Sequence, residues 1–330
     1  MTRRVAATGV ALAAAVVLGL GGGGAGAVTI HPGSLGFSIT AVHARRWFIF
    51  QARPGELMRG ELLVRNTGPK PKRIELAGTD AVTAGGGGYA FSSFSPCQAG
   101  SWLRLARRSV TLRPRGAAVV PFTIAVPRDA SPGEHFAGIT AVDAAEVAAV
   151  SARRAVLRHT GAVILTRAGI AVQVDLPGAP VYRLAFRGVR LAVSPSGARL
   201  ALQIANTGNQ LVPSTHVHLV VSRGARTVFR SETQLGVFLT DGGLDYEIPW
   251  QGTVADGLYH ITGWLAPSRG ARVPLVQTLR IADRSIHELR RESPVATVAA
   301  SRIPAVLLIA LGVAGVMIAG LGYVIVRGRP

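Results

Sequence analysis

Two stretches of the sequence follow one plan: an alternating segment, an Asn-Thr-Gly turn and a second alternating segment. The first is PGELMRGELLVRNTGPKPKRIEL, residues 54–76, and the second is LALQIANTGNQLVPSTHVHLVV, residues 200–221. Alternation with period two predicts a β-strand with one buried and one solvated face, and Asn and Gly tolerate the positive φ of a turn. In the first strand we expect one face to carry Met58, Gly60, Leu62 and Val64, and the other to carry Arg59, Glu61, Leu63 and Arg65.

The similarity between the two halves extends beyond the turns. Gly133-Glu134-His135-Phe136 in the first half corresponds to Gly257-Leu258-Tyr259-His260 in the second, which places His135 and His260 at matching positions. Turn signals recur every 8–12 residues or so, as in a β-sandwich. The sequence therefore predicts an all-β protein of two tandem immunoglobulin-like β-sandwiches, with a short helix over residues 144–156 as the nearest approach to a helical period before the C-terminal segment.

The two ends of the chain predict targeting segments. A basic start, an apolar centre and the exit Ala25-Gly26-Ala27 are typical of a signal peptide over residues 1–27, although an uncleaved anchor is the alternative. Residues 303–326 carry no charge, and about 20 apolar residues suffice to cross a bilayer. The predicted order is thus signal peptide, sandwich over 28–177, sandwich over 178–282, stalk over 283–302, transmembrane helix and a cytoplasmic tail over 327–330.

Charge and cysteine content limit the partners and the means of stabilisation. The 36 Lys and Arg residues exceed the 17 Asp and Glu residues, for a net charge of +19, so polyanions are attracted. An exported body without a recognition helix excludes nucleic acid as the expected partner and favours anionic wall polymers or lipid headgroups. Cys97 is the only cysteine, so apolar burial rather than a disulfide must hold each domain together.

No catalytic constellation, cofactor loop or metal-ligand spacing stands out. His216 and His218 share one face of a strand and could offer two nitrogens to a metal, but no third ligand is evident, and two solvated histidines are the other interpretation. The carboxylates of Asp241, Asp245 and Glu247 are the weak basis for a hydrolase. We expect no enzyme, no cofactor and no metal.

The candidate binding residues are aromatic and basic. Exposed tryptophans stack on sugar rings in carbohydrate-binding sandwiches, whereas a strand tryptophan is usually core. Trp102 is followed closely by Arg104, Arg107 and Arg108, the most concentrated basic patch of the first half. These four residues are the predicted contact with an anionic wall polymer; a solvated face is the alternative for the arginines.

The order of several short motifs resembles one known family. The motifs are Pro54-Gly55, Leu62 to Thr67, Trp102-Leu103, Val110 to Pro114, Ile124 to Pro127, Asp129 to Gly133 and Ala137 to Ile139. That order looks like the N-terminal domain of the WxL-interacting surface proteins of Gram-positive bacteria. The resemblance implies two immunoglobulin-like domains, a C-terminal transmembrane helix, peptidoglycan binding by the first domain and a surface protein partner for the second.

The sequence thus favours a non-enzymatic, single-pass cell-membrane protein whose body lies outside the cytoplasm. Its first sandwich would bind peptidoglycan or an anionic cell-wall polymer, and its second sandwich a protein partner. The alternative is an accessory subunit or assembly chaperone of an exported protein complex that acts by strand addition at an open sheet edge.

Overall fold

The computed structural model describes residues 35–42, 47–156, 165–194, 197–250 and 254–281. These residues form mainly strands, with one helix and a 3-10 turn, Ala99–Trp102. The elements in chain order are β1 (Phe37–Ala41), β2 (Phe48–Gln51), β3 (Leu57–Asn66), β4 (Lys72–Thr83), β5 (Tyr89–Phe91), β6 (Leu103–Leu105), β7 (Ser109–Leu112), β8 (Ala117–Ala125), β9 (Gly133–Asp143), α1 (Ala144–Val156), β10 (Ala168–Leu176), β11 (Leu184–Ser194), β12 (Gly197–Asn206), β13 (Thr215–Arg223), β14 (Arg226–Leu235), β15 (Gly243–Pro249), β16 (Gly257–Pro267) and β17 (Val273–Ile281).

The first sandwich consists of two mainly antiparallel sheets. One sheet has the order β1-β3-β8-β6, and the other has the order β2-β10-β9-β4-β5, with β7 also paired to β4. Buried and exposed residues alternate along β3 as the sequence predicts: Leu62 and Val64 are fully buried, whereas Arg59 and Glu61 are exposed. The helix predicted over residues 144–156 is α1, which connects β9 towards β10.

The first two strands of this sandwich lie in different sheets. Strand β1 pairs antiparallel with β3, so that Phe37 lies opposite Asn66 and Ala41 opposite Leu62. Strand β2 pairs parallel with β10 in the opposite sheet, where Phe48 lies opposite Val172. The start of β3 therefore has no strand beside it on the β1 side among the described residues.

The second sandwich has a three-stranded sheet, β11-β12-β15, facing a four-stranded sheet, β14-β13-β16-β17. Every pairing in it is antiparallel. Tyr259 and Trp250 are buried in its core. The alternation in the strand that ends at Asn206 also directs Leu200, Leu202 and Ile204 into this core. The described chain is thus all-β with several sheets, as predicted, and the sheets are consistent with β-sandwiches.

The two sandwiches share an interface with its own apolar cluster, formed by Ala81, Phe136 and Leu239. Several hydrogen bonds cross it. Among them, Leu211 N donates to Glu134 Oε2 at 2.6 Å, Leu239 N donates to Thr83 Oγ1 at 3.0 Å and Glu134 N donates to Asn209 O at 2.9 Å. Burial raises the pKa of the Glu134 carboxyl, and the bond from the backbone of Leu211 opposes that rise.

One detail of the predicted duplication is wrong. Gly133 and Gly257 do correspond, since each begins its strand with a positive φ, 127° and 141°. Counting from them, the residue that matches His135 is Tyr259 rather than His260. The His135 ring donates from Nε2 to Ser131 O at 2.8 Å, and Tyr259 donates from its hydroxyl to Ala255 O at 2.7 Å. Both rings thus bond a carbonyl four residues upstream, as the tyrosine corner of immunoglobulin-like sandwiches does.

The predicted localisation also needs correction. No helix within the described ranges is both long and apolar enough to cross a membrane, and this finding contradicts a single-pass cell-membrane protein. The predicted signal peptide, stalk, transmembrane helix over 303–326 and cytoplasmic tail lie outside the described residues.

Candidate functional site

The candidate site is a gap beside β3 from Leu57 to Gly60, where no strand lies on the β1 side among the described residues. Within that part of the chain, the last backbone bond on the β1 side of β3 runs from Val42 N to Glu61 O, at 3.0 Å. On the opposite side of β3, Glu56 O accepts from Val126 N at 3.0 Å. Because successive residues of a strand direct their backbone groups to opposite edges, Leu57 and Arg59 direct theirs into the gap.

A cavity of about 770 Å³ adjoins this unpaired edge. Phe48 and Phe50 from β2 line it together with Phe122 from β8, and their rings contact one another: Phe48 meets Phe122 edge-on with centroids 4.9 Å apart, and Phe50 meets Phe122 at 6.3 Å. This arrangement requires Gly60, because a Cβ there would lie 2.4 Å from the Phe122 ring. The cavity therefore has an aromatic wall, and the charged residues Arg59, Glu61 and Arg104 line it as well.

A row of polar side chains runs across the outer face of the same sheet. Arg59 lies opposite Thr123 in one pairing, and Arg104 lies opposite Thr123 in the next. The row is therefore Arg59, Thr123, Arg104, with Arg59 adjacent to the gap. Neither arginine forms an ion pair with a described carboxylate, and Glu61 lines the same cavity as Arg59.

The structure separates the four residues predicted as a wall contact. Arg104 alone lies beside the cavity, where its guanidinium donates to Leu103 O at 3.1 Å. Trp102 is half-buried and packs against the His135 ring, with centroids 4.9 Å apart. Arg107 and Arg108 are exposed in the connection between β6 and β7. No observation tests whether these residues bind a wall polymer, so that role stays a prediction.

The histidines and carboxylates that the sequence singled out lie at the surface of the second sandwich. His218 stacks on Trp264, with centroids 5.4 Å apart, while His216 is exposed. Asp245 pairs with Arg190, and Glu247 with Arg199 at 2.8 Å. Within the described part of the chain, no three potential metal ligands lie together.

Sequence reasoning missed the aromatic pocket. The signal was the Phe-Ile-Phe triplet at residues 48–50, which places two phenyl rings on one face of a strand. The sequence does not show that this triplet pairs with β10 instead of β3, because the two paired strands are more than a hundred residues apart in the chain.

Comparisons with known proteins give no family for this chain. No family model matches the sequence. No curated protein matches it either, so the resemblance to the WxL-interacting proteins stays a prediction.

Solved structures that resemble the chain include chaperones of fimbrial assembly. A chaperone–tip adhesin complex of CFA/I fimbriae is 9% identical, with 74% of this chain and 99% of that chain covered at a TM-score of 0.31. The CupB2 chaperone of Pseudomonas aeruginosa is 10% identical, with 71% and 97% covered and a TM-score of 0.29. The CsuC–CsuE complex of Acinetobacter baumannii is 12% identical, with 74% and 97% covered and a TM-score of 0.35. Because these identities and TM-scores are low, the fold is assigned from the strand pairings of this chain and not from the similar structures.

Proposed function

We propose that this protein is a non-enzymatic binding protein that captures an extended segment of a partner protein by strand addition in the gap of the first sandwich. The function is that of an accessory subunit or assembly chaperone, the alternative that the sequence offered. The observation that supports the proposal is that β1 and β2 pair with opposite sheets, so that among the described residues no strand lies beside β3 from Leu57 to Gly60, next to a cavity with an aromatic wall.

The open edge supplies the affinity of an added strand. Leu57 and Arg59 each direct one N–H and one C=O into the gap, and an extended segment lying there would bond to both residues. Such a segment, if antiparallel to β3, would lie in line with β1 and add a strand to the sheet.

The cavity supplies a place for the side chains of the added strand. Phe48 is buried and Phe50 is half-buried, yet both line a space of about 770 Å³. Every second side chain of an extended segment beside β3 would point towards this space. Main-chain bonds and pockets for alternate side chains are the combination by which sheet edges recognise peptides.

The proposal is tested with the full chain and a variant that lacks one edge donor. A display library of nine-residue peptides is panned on the wild-type protein, and the enriched peptides are measured against Leu57→Pro, because proline removes the N–H directed into the gap and is tolerated at the first residue of a strand. The matched control is Leu57→Ala, which keeps the N–H.

The expected result is that the peptides bind wild type and Leu57→Ala alike and lose at least about fivefold in affinity for Leu57→Pro, the loss of one backbone hydrogen bond. Replacement of alternate peptide amides by N-methyl amides should weaken binding similarly. Enrichment of no peptide, or equal binding by Leu57→Pro with an unchanged circular dichroism spectrum, overturns the proposal.

A further inference from the structure

We propose that one end of the first sandwich binds a linear phosphate polymer. This end, called here the basic end, consists of two loops, residues 69–71 and 113–115, which contain Lys70, Arg113 and Arg115. The proposal is independent of strand addition, since neither loop lines the cavity beside β3. The same two loops occur in the second sandwich, where they have a different role.

The first loop of the basic end matches residues 209–211. Both loops follow an Asn-Thr-Gly turn, and the carbonyl four residues after the asparagine accepts from the asparagine Nδ2. This carbonyl is Lys70 O at 2.8 Å in the first sandwich and Gln210 O at 2.9 Å in the second. Lys70 therefore corresponds to Gln210, and Pro71 to Leu211.

The second loop of the basic end matches residues 239–241. Each of these loops ends before a glycine whose carbonyl accepts from the backbone N–H of the turn asparagine, at 2.8 Å and 2.9 Å. Arg115 and Asp241 precede these glycines and are the only non-glycine residues with a positive φ among those described, 58° and 55°. Counting back from them, Arg113 corresponds to Leu239.

In the second sandwich these loops form the contact with the first sandwich. Leu211 N donates to Glu134 Oε2 at 2.6 Å, and Thr240 Oγ1 donates to Glu134 O at 2.6 Å. Leu239 N donates to Thr83 Oγ1 at 3.0 Å. The end that carries the Asn-Thr-Gly turn is thus a protein-binding end in the second sandwich.

The basic end lacks the groups that make this protein contact. Pro71 stands where Leu211 donates its N–H, and proline has no N–H. Pro114 has no hydroxyl to donate, unlike the threonine that it matches. The exposed Arg113 replaces Leu239, which is buried in the apolar cluster between the sandwiches. A second sandwich therefore cannot dock here in the same way.

The cations of the basic end are available to an anion. Lys70, Arg113 and Arg115 are exposed, and none of them takes part in an ion pair between described residues. Asn66 holds their loops together, because its Nδ2 lies within hydrogen-bond distance of both Lys70 O and Arg113 O. Residues 1–34, which precede this sandwich, contain no Asp or Glu that could neutralise it.

The chemistry of these side chains indicates the class of ligand. Guanidinium groups bind phosphate oxygens through paired N–H donors, but a single exposed ion pair contributes little. A polymer that repeats its phosphates contacts several cations at once and so gains avidity. Binding to a bilayer surface uses apolar side chains as well, and none of the large apolar side chains exposed in the described chain lies in these loops. A phosphate polymer therefore fits the basic end better than a lipid bilayer does.

Titration with long-chain inorganic polyphosphate tests the proposal. Full-length wild type and variants are titrated into fluorophore-labelled polyphosphate, and fluorescence anisotropy reports binding. Arg115→Gly removes a cation while glycine adopts the positive φ without strain. This variant should be no less stable than the wild type but should bind roughly twofold to fivefold more weakly. Lys70→Gln/Arg113→Gln should bind roughly tenfold more weakly.

The matched control is Arg226→Gln/Arg230→Gln. Both arginines are exposed on β14 of the second sandwich, so this variant loses the same net charge at another place. Its affinity for polyphosphate should stay within about twofold of that of the wild type, because these charges act only through the overall field of the molecule.

The remaining outcomes would overturn the proposal. Equal losses of affinity in the control and in Lys70→Gln/Arg113→Gln would show that only the overall charge attracts the polymer. Unchanged affinity in Arg115→Gly and in Lys70→Gln/Arg113→Gln would exclude the basic end as the site. Binding to vesicles that contain an anionic phospholipid, without binding to polyphosphate, would refute the class of ligand, and so would failure to bind either at low ionic strength. None of these results bears on strand addition, which Leu57→Pro tests separately.

Discussion

Asn66 and Asn206 make the same hydrogen bonds in the two sandwiches. Each is buried at the end of its strand, and each accepts at Oδ1 from the backbone N–H two residues later, Gly68 at 2.9 Å and Gly208 at 3.0 Å. Each also donates from Nδ2 to the carbonyl four residues later and to a second, distant loop. In each sandwich, the asparagine of the Asn-Thr-Gly sequence therefore links its own turn to a loop that is distant in the chain.

Removal of this connection should destabilise either sandwich. Asn66→Ala leaves the carbonyls of Lys70 and Arg113 without the amide donor of Asn66, while Gly68 N–H keeps only its bond to Gly36 O. The expected cost is about 1–3 kcal/mol. Asn206→Ala should cost a similar amount. Urea unfolding measures both, and Thr67→Ala beside the first turn serves as a control of small effect. An unchanged midpoint in either asparagine variant would contradict the role.

The packing of Gly60 against Phe122 makes a steric prediction. Gly60→Ala places a methyl group 2.4 Å from a ring that is itself fully buried, so the ring must move and the variant should lose about 1–3 kcal/mol of unfolding free energy. Gly85→Ala is the matched control, because a Cβ there meets no atom within 4 Å. Thermal unfolding distinguishes them, and equal melting temperatures would refute the close contact.

Asp80 holds an exposed loop through its carboxylate. The side chain is buried and accepts from Cys97 N at 2.7 Å, Gln98 N at 3.1 Å and Gly100 N at 2.8 Å. Asp80→Ala leaves three donors without this acceptor, so we expect a loss of about 3 kcal/mol in global stability. Hydrogen exchange at those amides should accelerate.

Asp129→Ala is the control for this change, because Asp129 is an exposed aspartate. It should alter neither stability nor exchange. Should the loop amides exchange equally slowly in Asp80→Ala and wild type, the carboxylate does not hold the loop.

Glu134 makes stability depend on pH at the interface between the sandwiches. Its pKa is raised above the ordinary 4.5 by burial, so the folded protein holds this proton more tightly than the unfolded chain does. The stabilisation from the proton is complete below the ordinary pKa and is lost as pH rises through the raised value. At neutral pH, ionised Glu134 therefore opposes folding.

Glu134→Gln removes this titration while it keeps an oxygen to accept from Leu211 N. The difference in unfolding free energy between Glu134→Gln and wild type should move in favour of the variant as pH rises from about 4 to 7. Denaturant titrations across this range measure the difference. A pH-independent difference would show that the carboxyl is not perturbed by folding.

Much of the fold could be read from local patterns. The alternation along β3 predicts correctly which side chains face inward, because burial of one face of a strand imposes period two. The helix over residues 144–156 was predicted with the bounds that the structure gives. By contrast, the prediction that His135 matches His260 was wrong. It paired two histidines, whereas the residue two positions after the strand-initial glycine is His135 in the first half and Tyr259 in the second.

The sequence analysis predicted little of the candidate site. Of the four predicted contact residues, only Arg104 lies beside the cavity, and Trp102 packs on His135 instead. Proximity along the chain suggested one patch, whereas strand alternation and the 3-10 turn direct these side chains to different surroundings.

The sequence by itself determined that the described chain forms strands, where they turn, and which asparagines fix the turns, since hydrogen bonds to residues two and four positions away and the period of burial are local properties. Only the tertiary structure decided that β2 pairs with β10 instead of β3, and that Arg59, Thr123 and Arg104 share a row. The neighbours of a residue across a sheet belong to strands that are far away in the chain. The free energy of pairing two such strands depends on both of them, so the sequence of one strand alone does not reveal its partner.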